Sequence, residues 1–288
     1  MDWNERATGW VEFETMLEAA HAPVLHGLVA RAGMTPGARI LDIGGGSGST
    51  ALAVAQIVGP KDAVLSMDIA APMVARAVAR TADLPNVDVV VGDAEFDPLP
   101  EVGFDIMISL FGTMFFDNPV AAFQNIARGV VPGGRFHFAT WASPQNNPWF
   151  GLAGRRAVER LGPMPPPVPH ASGPFGFADA ERTLALIADA GLVRGMVETV
   201  DLDLTPMGSP ADVSELLLRV GSAASVVDAL AGNTRRCGRD PQDVERGHSG
   251  IDCRRGCAVS GTDPFLQRAK TRLRRALPLG RKRSIGTP

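Results

Sequence analysis

The sequence predicts an α/β fold, a mostly parallel β-sheet with helices on both faces. Three observations predict it. Apolar, strand-like runs at 38–43, 63–68, 87–92, 104–109 and 135–140 alternate with helical patterns at 49–58, 71–82 and 119–128. Alternation of this kind gives parallel strands joined by crossover helices. Acids stand at three successive strand ends, Asp42, Asp68 and Asp93, and ligands of such sheets bind at the carboxyl ends of strands, near the point where strand order reverses. The stretch ILDIGGGSGST at 40–50 sets Gly44, Gly45, Gly46 and Gly48 directly behind the first run.

The elements follow in order. Trp10, Phe13, Met16, Leu17 and Ala20 recur at near-helical spacing, so 8–32 reads as one helix. Thr35-Pro36-Gly37 is a turn into the first strand. The third and fourth strands are joined by the loop AEFDPLPEVG, and VVPGGRF at 130–136 leads into the fifth. A helix is expected over 149–161. The stretch GPMPPPVPHASGP cannot be helical throughout. Residues 178–190 read as a helix with Gly191 as its C-cap, 193–204 alternates like a strand, and short helices are expected at 210–219 and 222–231.

Composition sets outer bounds. The chain has 288 residues and is 45% hydrophobic, enough for a sizeable core. The opening MDWNERATGW has no signal-peptide pattern, and no apolar run approaches the ~20 residues that cross a bilayer. The expectation is a soluble, cytoplasmic protein with no membrane association. Nothing in the sequence encodes an oligomeric state.

The net charge of −3 hides an asymmetry. Residues 1–234 hold 14 Lys/Arg against 26 Asp/Glu, whereas 235–288 hold 14 against 5. All three cysteines, Cys237, Cys253 and Cys257, fall in the second region. We therefore divide the chain into a domain at 1–234, with its core at 33–142 and substrate elements at 1–32 and 143–232, and a basic tail at 235–288. The tail admits three readings: a disordered extension touching nucleic acid or acidic partners, a metal site through His248, Cys253 and Cys257, or a sequence foreign to the core, such as a shifted reading frame after about residue 232. The third is favoured. No metal is expected, because the spacing matches no familiar four-ligand site. The tail is the only hint of nucleic acid. It offers no obvious final strand, which leaves the last strand of the sheet in doubt.

The glycines narrow the chemistry. A dinucleotide turn would read G-x-G-x-x-G, but the third position here is Ser49. A phosphate-binding Walker loop needs Gly-Lys-Ser/Thr, and the nearest lysine is Lys61. What stands here is D-x-G-x-G-x-G, from Asp42 to Gly48. That pattern resembles the first motif of the class I S-adenosylmethionine-dependent methyltransferases. The resemblance continues in DIAAPMVARAVAR at 68–80, in GDAEFDPLPEVGFDIMIS at 92–109 and in VVPGGRF. FGTMFFDNP at 111–119 and WASPQNNPW at 141–149 are similar to a bacterial small-molecule branch, the methyl-11 and quinone methyltransferases.

The resemblance implies a Rossmann-like sheet of order 3-2-1-4-5-7-6 and S-adenosylmethionine as cofactor. It implies that Asp42 and the loop of Gly44, Gly45, Gly46 and Gly48 face the amino-acid end. Asp68 would accept from the ribose hydroxyls, Asp93 from the adenine amino group beside Ala94, and Ile69 and Met73 would sandwich the ring. Ser109, at the end of the fourth strand, joins this set. An acid at a strand end also serves as a helix cap, and Asp68 before APMVARAVAR fits that reading as well.

The acceptor is narrowed by exclusion. The Asn/Asp-Pro-Pro-Tyr/Phe box of many amine methyltransferases is replaced by Ser109-Leu110-Phe111-Gly112, and the chain has no tyrosine. The expected reaction is methylation of a small organic acceptor, oxygen or carbon before nitrogen. Phe111, Met114, Phe115, Trp141 and Trp149 are candidate pocket walls, with Asn147 as polar contact and Trp10 closing the site; each is equally suited to core packing. No general base is evident, and His21, His26 and His137 read as surface or packing residues. The alternatives are a nicotinamide-dependent oxidoreductase and a cofactor-binding module without catalysis.

Overall fold

The computed structural model describes residues 2–60, 64–100, 103–161, 168–221, 224, 226 and 270–281. Helices α1 (Trp3–Glu12) and α2 (Glu14–Ala32) precede β1 (Ile40–Ile43), α3 (Ser49–Val58), β2 (Val64–Asp68), α4 (Ala71–Thr81) and β3 (Val87–Val91). There follow β4 (Phe104–Leu110), a 3-10 turn (Thr113–Phe115), α5 (Pro119–Gly129), β5 (Val130–Trp141), α6 (Pro148–Leu161) and α7 (Ala180–Asp189). The final elements are β6 (Leu192–Val193), β7 (Met196–Asp203), α8 (Pro210–Arg219) and β8 (Lys270–Arg281).

Strands β3, β2, β1, β4 and β5 run parallel in that order. The order reverses between β1 and β4, so the loops behind those strands open the crevice that such sheets use for ligands. The strands are apolar because both faces are covered: Ile40, Leu41, Ile106, Met107 and Ile108 are fully buried.

Two expectations are corrected. The single helix over 8–32 is two helices, since Phe13 leaves helical geometry with φ −99° and ψ 16°. The strand expected over 193–204 is split by Arg194, whose φ of 62° lies in the left-handed region, into β6 and β7.

The last strand, held in doubt on sequence, is present. Strand β8 lies antiparallel between β5 on one side and β6 and β7 on the other. Part of the basic tail therefore completes the sheet. Its register sets Lys270 opposite Asp203, Arg272 opposite Asp201 and Arg275 opposite Glu198, so acidic and basic positions alternate across the pair. Pro278 falls in the irregular part of the β5 pairing, between Phe136 and Phe138, and beyond the last β7 pair; a proline is tolerated there because no regular ladder needs its missing N–H. The cysteines, His248, Lys61, most of the helix expected at 222–231 and part of the proline-rich stretch lie outside the described residues.

Candidate cofactor and acceptor site

Asp42 is fully buried in β1, and its Oδ2 accepts a 2.8 Å hydrogen bond from Ser66 Oγ on β2. Asp42 Oδ1 has no partner among the described residues. Burial pushes this carboxyl up to about 7; the Ser66 bond opposes the shift and the nearby charge of Asp68 adds to it.

The glycines behind Asp42 have different duties. Gly44 and Gly45 both donate their N–H to the Met67 carbonyl, at 2.8 and 3.1 Å. A Cβ on Gly44 would sit 2.7 Å from Gly112 Cα, so the loops behind β1 and β4 cross backbone on backbone. A Cβ on Gly45 would collide with Ser66 Oγ, and one on Gly48 would press on Ala77 of α4. Only Gly46, at φ 57°, turns a bare face outward, where its nearest neighbour would be Met73 Cε at 3.4 Å. Three of these four glycines thus serve packing within the protein, and Gly46 leaves room for a ligand.

Asp68 is bound to that same loop. Its Oδ2 accepts from Gly46 N and its Oδ1 from Ala70 N, both at 2.8 Å. Burial raises its carboxyl, against those two hydrogen bonds. The helix cap expected of Asp68 is not formed, since α4 begins after Ala70 with no side-chain cap; a carboxylate offers about four acceptor sites, of which the backbone takes two here. Asp93 also holds its turn, accepting from Glu95 N at 2.9 Å. The carbonyl of Asp68 binds Gly92 N at 3.0 Å, which joins the tips of β2 and β3. The three acids therefore lie at adjacent strand ends. Beside them Ile69 is 45% exposed and Phe96, absent from the sequence reading, is 74% exposed; Ala94 is buried with its carbonyl bound by Asn125.

Other expected residues make packing and turn contacts. Ser109 is buried and its Oγ accepts from Gly112 N at 3.2 Å, which shapes the turn behind β4. Asn147 is buried and donates to the carbonyls of Ala142 and Ser143, at 3.1 and 3.0 Å. Phe111 and Trp141 are buried and stacked on each other, with centroids 4.3 Å apart and planes at 9°. Met114 is buried, and its carbonyl accepts from Gly173 N at 3.0 Å. Phe115 meets Trp3 of α1 edge to face at 4.7 Å. Asn4 of the same helix accepts from Ala71 N at the start of α4, so α1 reaches from the tip of β2 to the turn behind β4. Trp10 lies half-buried in α1. The side chain of Trp149 is outside the described residues.

The sequence reading missed a cluster that holds the glycine loop. Arg80 donates to the Ser47 carbonyl at 3.0 Å and to Glu14 and Glu18, and Arg76 donates to Glu14 at 2.7 Å. Ser49, which broke the dinucleotide pattern, donates to Glu18 Oε1. Burial alone would raise the Glu14 carboxyl, but hydrogen bonds from Arg76 and Ser47 and the charges of Arg80 and Arg76 hold it below its ordinary value. The signal was the paired i, i+4 spacing, Glu14/Glu18 on α2 and Arg76/Arg80 on α4.

Residues 40–134 match the family model described as a methyltransferase domain. Over these residues the chain is similar to methyltransferase domains. A ubiquinone/menaquinone biosynthesis C-methyltransferase, UbiE, of Ectopseudomonas mendocina is 35% identical to this domain over 117 residues, which are 40% of this chain and 46% of that one. The chain thus spans about half the length of the curated relatives it matches. In fold, the chain resembles the YcgJ protein of Bacillus subtilis, with a TM-score of 0.58 at 18% identity over 91% of this chain and 100% of that one. It also resembles a putative methyltransferase of Bacillus halodurans, with a TM-score of 0.52 at 17% identity over 90% and 99%.

The residues present suit S-adenosylmethionine, the cofactor that the sequence resemblance implies. Its ammonium group would meet the orphan oxygen of Asp42, and its polar hydroxyls the remaining lone pairs of Asp68. Among the described residues no cluster of His, Cys, Asp and Glu could hold a metal ion, and no helix is long and apolar enough to cross a membrane.

Proposed function

We propose that this chain transfers the methyl group of S-adenosylmethionine to a small organic acceptor, at oxygen or carbon. The observation that carries the reading is the hydrogen bond from Gly46 to Asp68, which puts a bare backbone face beside a carboxylate with free lone pairs, next to the unpartnered oxygen of Asp42. In this reading Asp42 and the loop of Gly44, Gly45, Gly46 and Gly48 hold the amino-acid end, Asp68 the ribose, and Asp93 and Ala94 the adenine edge. Ile69 and Met73 cover the adenine faces.

Bound there, the cofactor supplies a methyl carbon already activated by its sulfonium. The protein has to align an acceptor with it, and positioning alone contributes roughly 7–11 kcal/mol. Phe111, Met114, Phe115 and Trp141 form the apolar side on which that acceptor packs. We place the reaction in the cytoplasm, on a metabolite rather than a nucleic acid.

Calorimetric titration with S-adenosylmethionine, S-adenosylhomocysteine and NAD tests the cofactor. Heat with NAD alone would refute it. A labelled-methyl assay over a metabolite panel then identifies the acceptor, and a chain that binds the cofactor yet labels nothing would be a binding module.

A further inference from the structure

Helix α2 presents Glu14, Glu18 and His21 at positions i, i+4 and i+7, one stripe along its surface. The first two hold the glycine loop through Arg76, Arg80 and Ser49. His21 lies one turn farther on, against the aromatic pair. Its ring centroid is 5.1 Å from that of Phe111 and 5.9 Å from that of Trp141.

Phe111 carries a φ of 65°, rare for a bulky residue, and its N–H donates to the Ala139 carbonyl of β5 at 3.0 Å. Left-handed backbone at a non-glycine residue is strained and gathers at functional sites. The next residue, Gly112, is the one whose backbone crosses Gly44. His21 therefore stands where the cofactor loop and the aromatic wall meet.

Its chemistry suits that place. The imidazole is half-buried, and it makes no hydrogen bond among the described residues. Burial pushes its pKa down to about 4, so the ring is neutral at physiological pH and one nitrogen is a ready acceptor. The aromatic neighbours bring no charge. The acid one turn away, Glu18, is engaged by Arg80 and Ser49.

Resting on the methyl-transfer reading above, we propose that His21 is a catalytic residue on the acceptor side, which takes the proton of a flat phenolic acceptor packed beside Phe111 and Trp141. The phenol oxygen bonds to the methyl carbon, the carbon–sulfur bond breaks with its electron pair going to sulfur, and the hydroxyl proton passes to the free imidazole nitrogen and then to water. A phenol fits better than an aliphatic alcohol, whose proton a weakly basic imidazole could not draw. It fits better than an ammonium, for which the wall offers no carboxylate.

The test follows the histidine imidazole resonances of the full chain, saturated with S-adenosylhomocysteine, as 4-nitrophenol or catechol is added. His21 is assigned by the signals missing from His21→Gln. The expected result is that the His21 signals move more than those of the other histidines. With a phenol that accepts labelled methyl, His21→Gln should lower kcat by about 100-fold or more at similar KM, the ordinary worth of general-base help. Added imidazole should restore part of the turnover of His21→Ala. If the wild type gives no heat with S-adenosylhomocysteine, the methyl-transfer reading fails. If it binds normally while the His21 signals ignore both phenols, or if His21→Gln loses the cofactor as well, this inference alone is overturned.

Discussion

Ser66 Oγ donates to Asp42 Oδ2 at 2.8 Å across two parallel strands, while the other Asp42 oxygen is buried with no partner among the described residues. An acid so placed favours its neutral form in the folded state. Its pKa rises from 3.8 to about 7, so between those values the folded chain binds the extra proton and stability falls as pH rises. Fully realised, that shift corresponds to about 4 kcal/mol. Asp42→Asn keeps the Ser66 bond and removes the charge, but leaves a buried amide N–H₂ that costs about 1–3 kcal/mol. The variant should therefore be about 2 kcal/mol more stable than the wild type at pH 8, with no advantage at pH 4, and it should bind S-adenosylmethionine more weakly at both. Denaturant melts across pH, with calorimetry beside them, measure the two effects separately.

Asp68 holds the loop and, in our reading, the ribose. Asp68→Ala should weaken S-adenosylhomocysteine binding at least tenfold, since each hydrogen bond to a charged group contributes about 1.5–3 kcal/mol. The melt should also fall, because Gly46 and Ala70 lose their acceptor. Unchanged affinity in a destabilised variant would leave Asp68 as a support of the loop only.

The glycines separate packing from binding. Gly45→Ala drives a methyl into Ser66 Oγ and within 2.7 Å of Asp42 Oδ2, so the variant should lose several kcal/mol or fail to fold. Gly46→Ala meets only the end of Met73, and its φ of 57° costs about 1 kcal/mol. It should fold and yet lose most of its cofactor affinity. Paired melts and titrations decide this; a Gly46→Ala protein with normal affinity would move the ligand elsewhere.

Much of this was legible in the sequence, for physical reasons. Strands β1 to β4 are short apolar runs between turn signals, and each was placed within about two residues. The acids at their tips were visible because each closes an apolar run, and three such runs follow one another. Long-range partners were not legible. Neither the crossing of Gly44 and Gly112 nor the contact of His21 with Phe111 can be read without the fold, since single residues far apart in sequence carry no period. Strand β8 was missed because its positions 270, 272, 274, 275 and 281 are basic and it contains Pro278, features that argue against a strand inside a sheet. The acidic positions of β7 paired with it in register lie some 70 residues earlier.

The charge cluster behind the loop offers another prediction. Arg80 is 18% exposed and binds Glu14, Glu18 and Ser47 together. Arg80→Met keeps the aliphatic stem and should cost about 2–4 kcal/mol, because two partly buried carboxylates lose a partner. Glu14, held below its ordinary pKa, contributes stability above that ordinary value which is lost as pH falls. The wild type should therefore shed stability on acidification through the usual carboxylate range, and Arg80→Met should show a shallower decline there. Melts at pH 7 and pH 4 compare the two.

The last prediction concerns β8. It pairs with β5 over Arg135–Trp141 and with β7 over Met196–Asp203, and it also pairs with β6. A chain ending at residue 269 would expose the ladder groups of β5 and β7 as two open edges, which invite pairing between copies. Strands β1 and β2, which carry Asp42, Asp68 and the glycine loop, do not pair with β8. The truncated chain should therefore melt well below the full chain and associate at micromolar concentration, while any monomer that remains still binds S-adenosylhomocysteine. Size-exclusion chromatography with light scattering, followed by calorimetry on the monomer peak, checks both halves. A truncated chain that stays monomeric with an unchanged melt would show that β8 contributes nothing to the sheet.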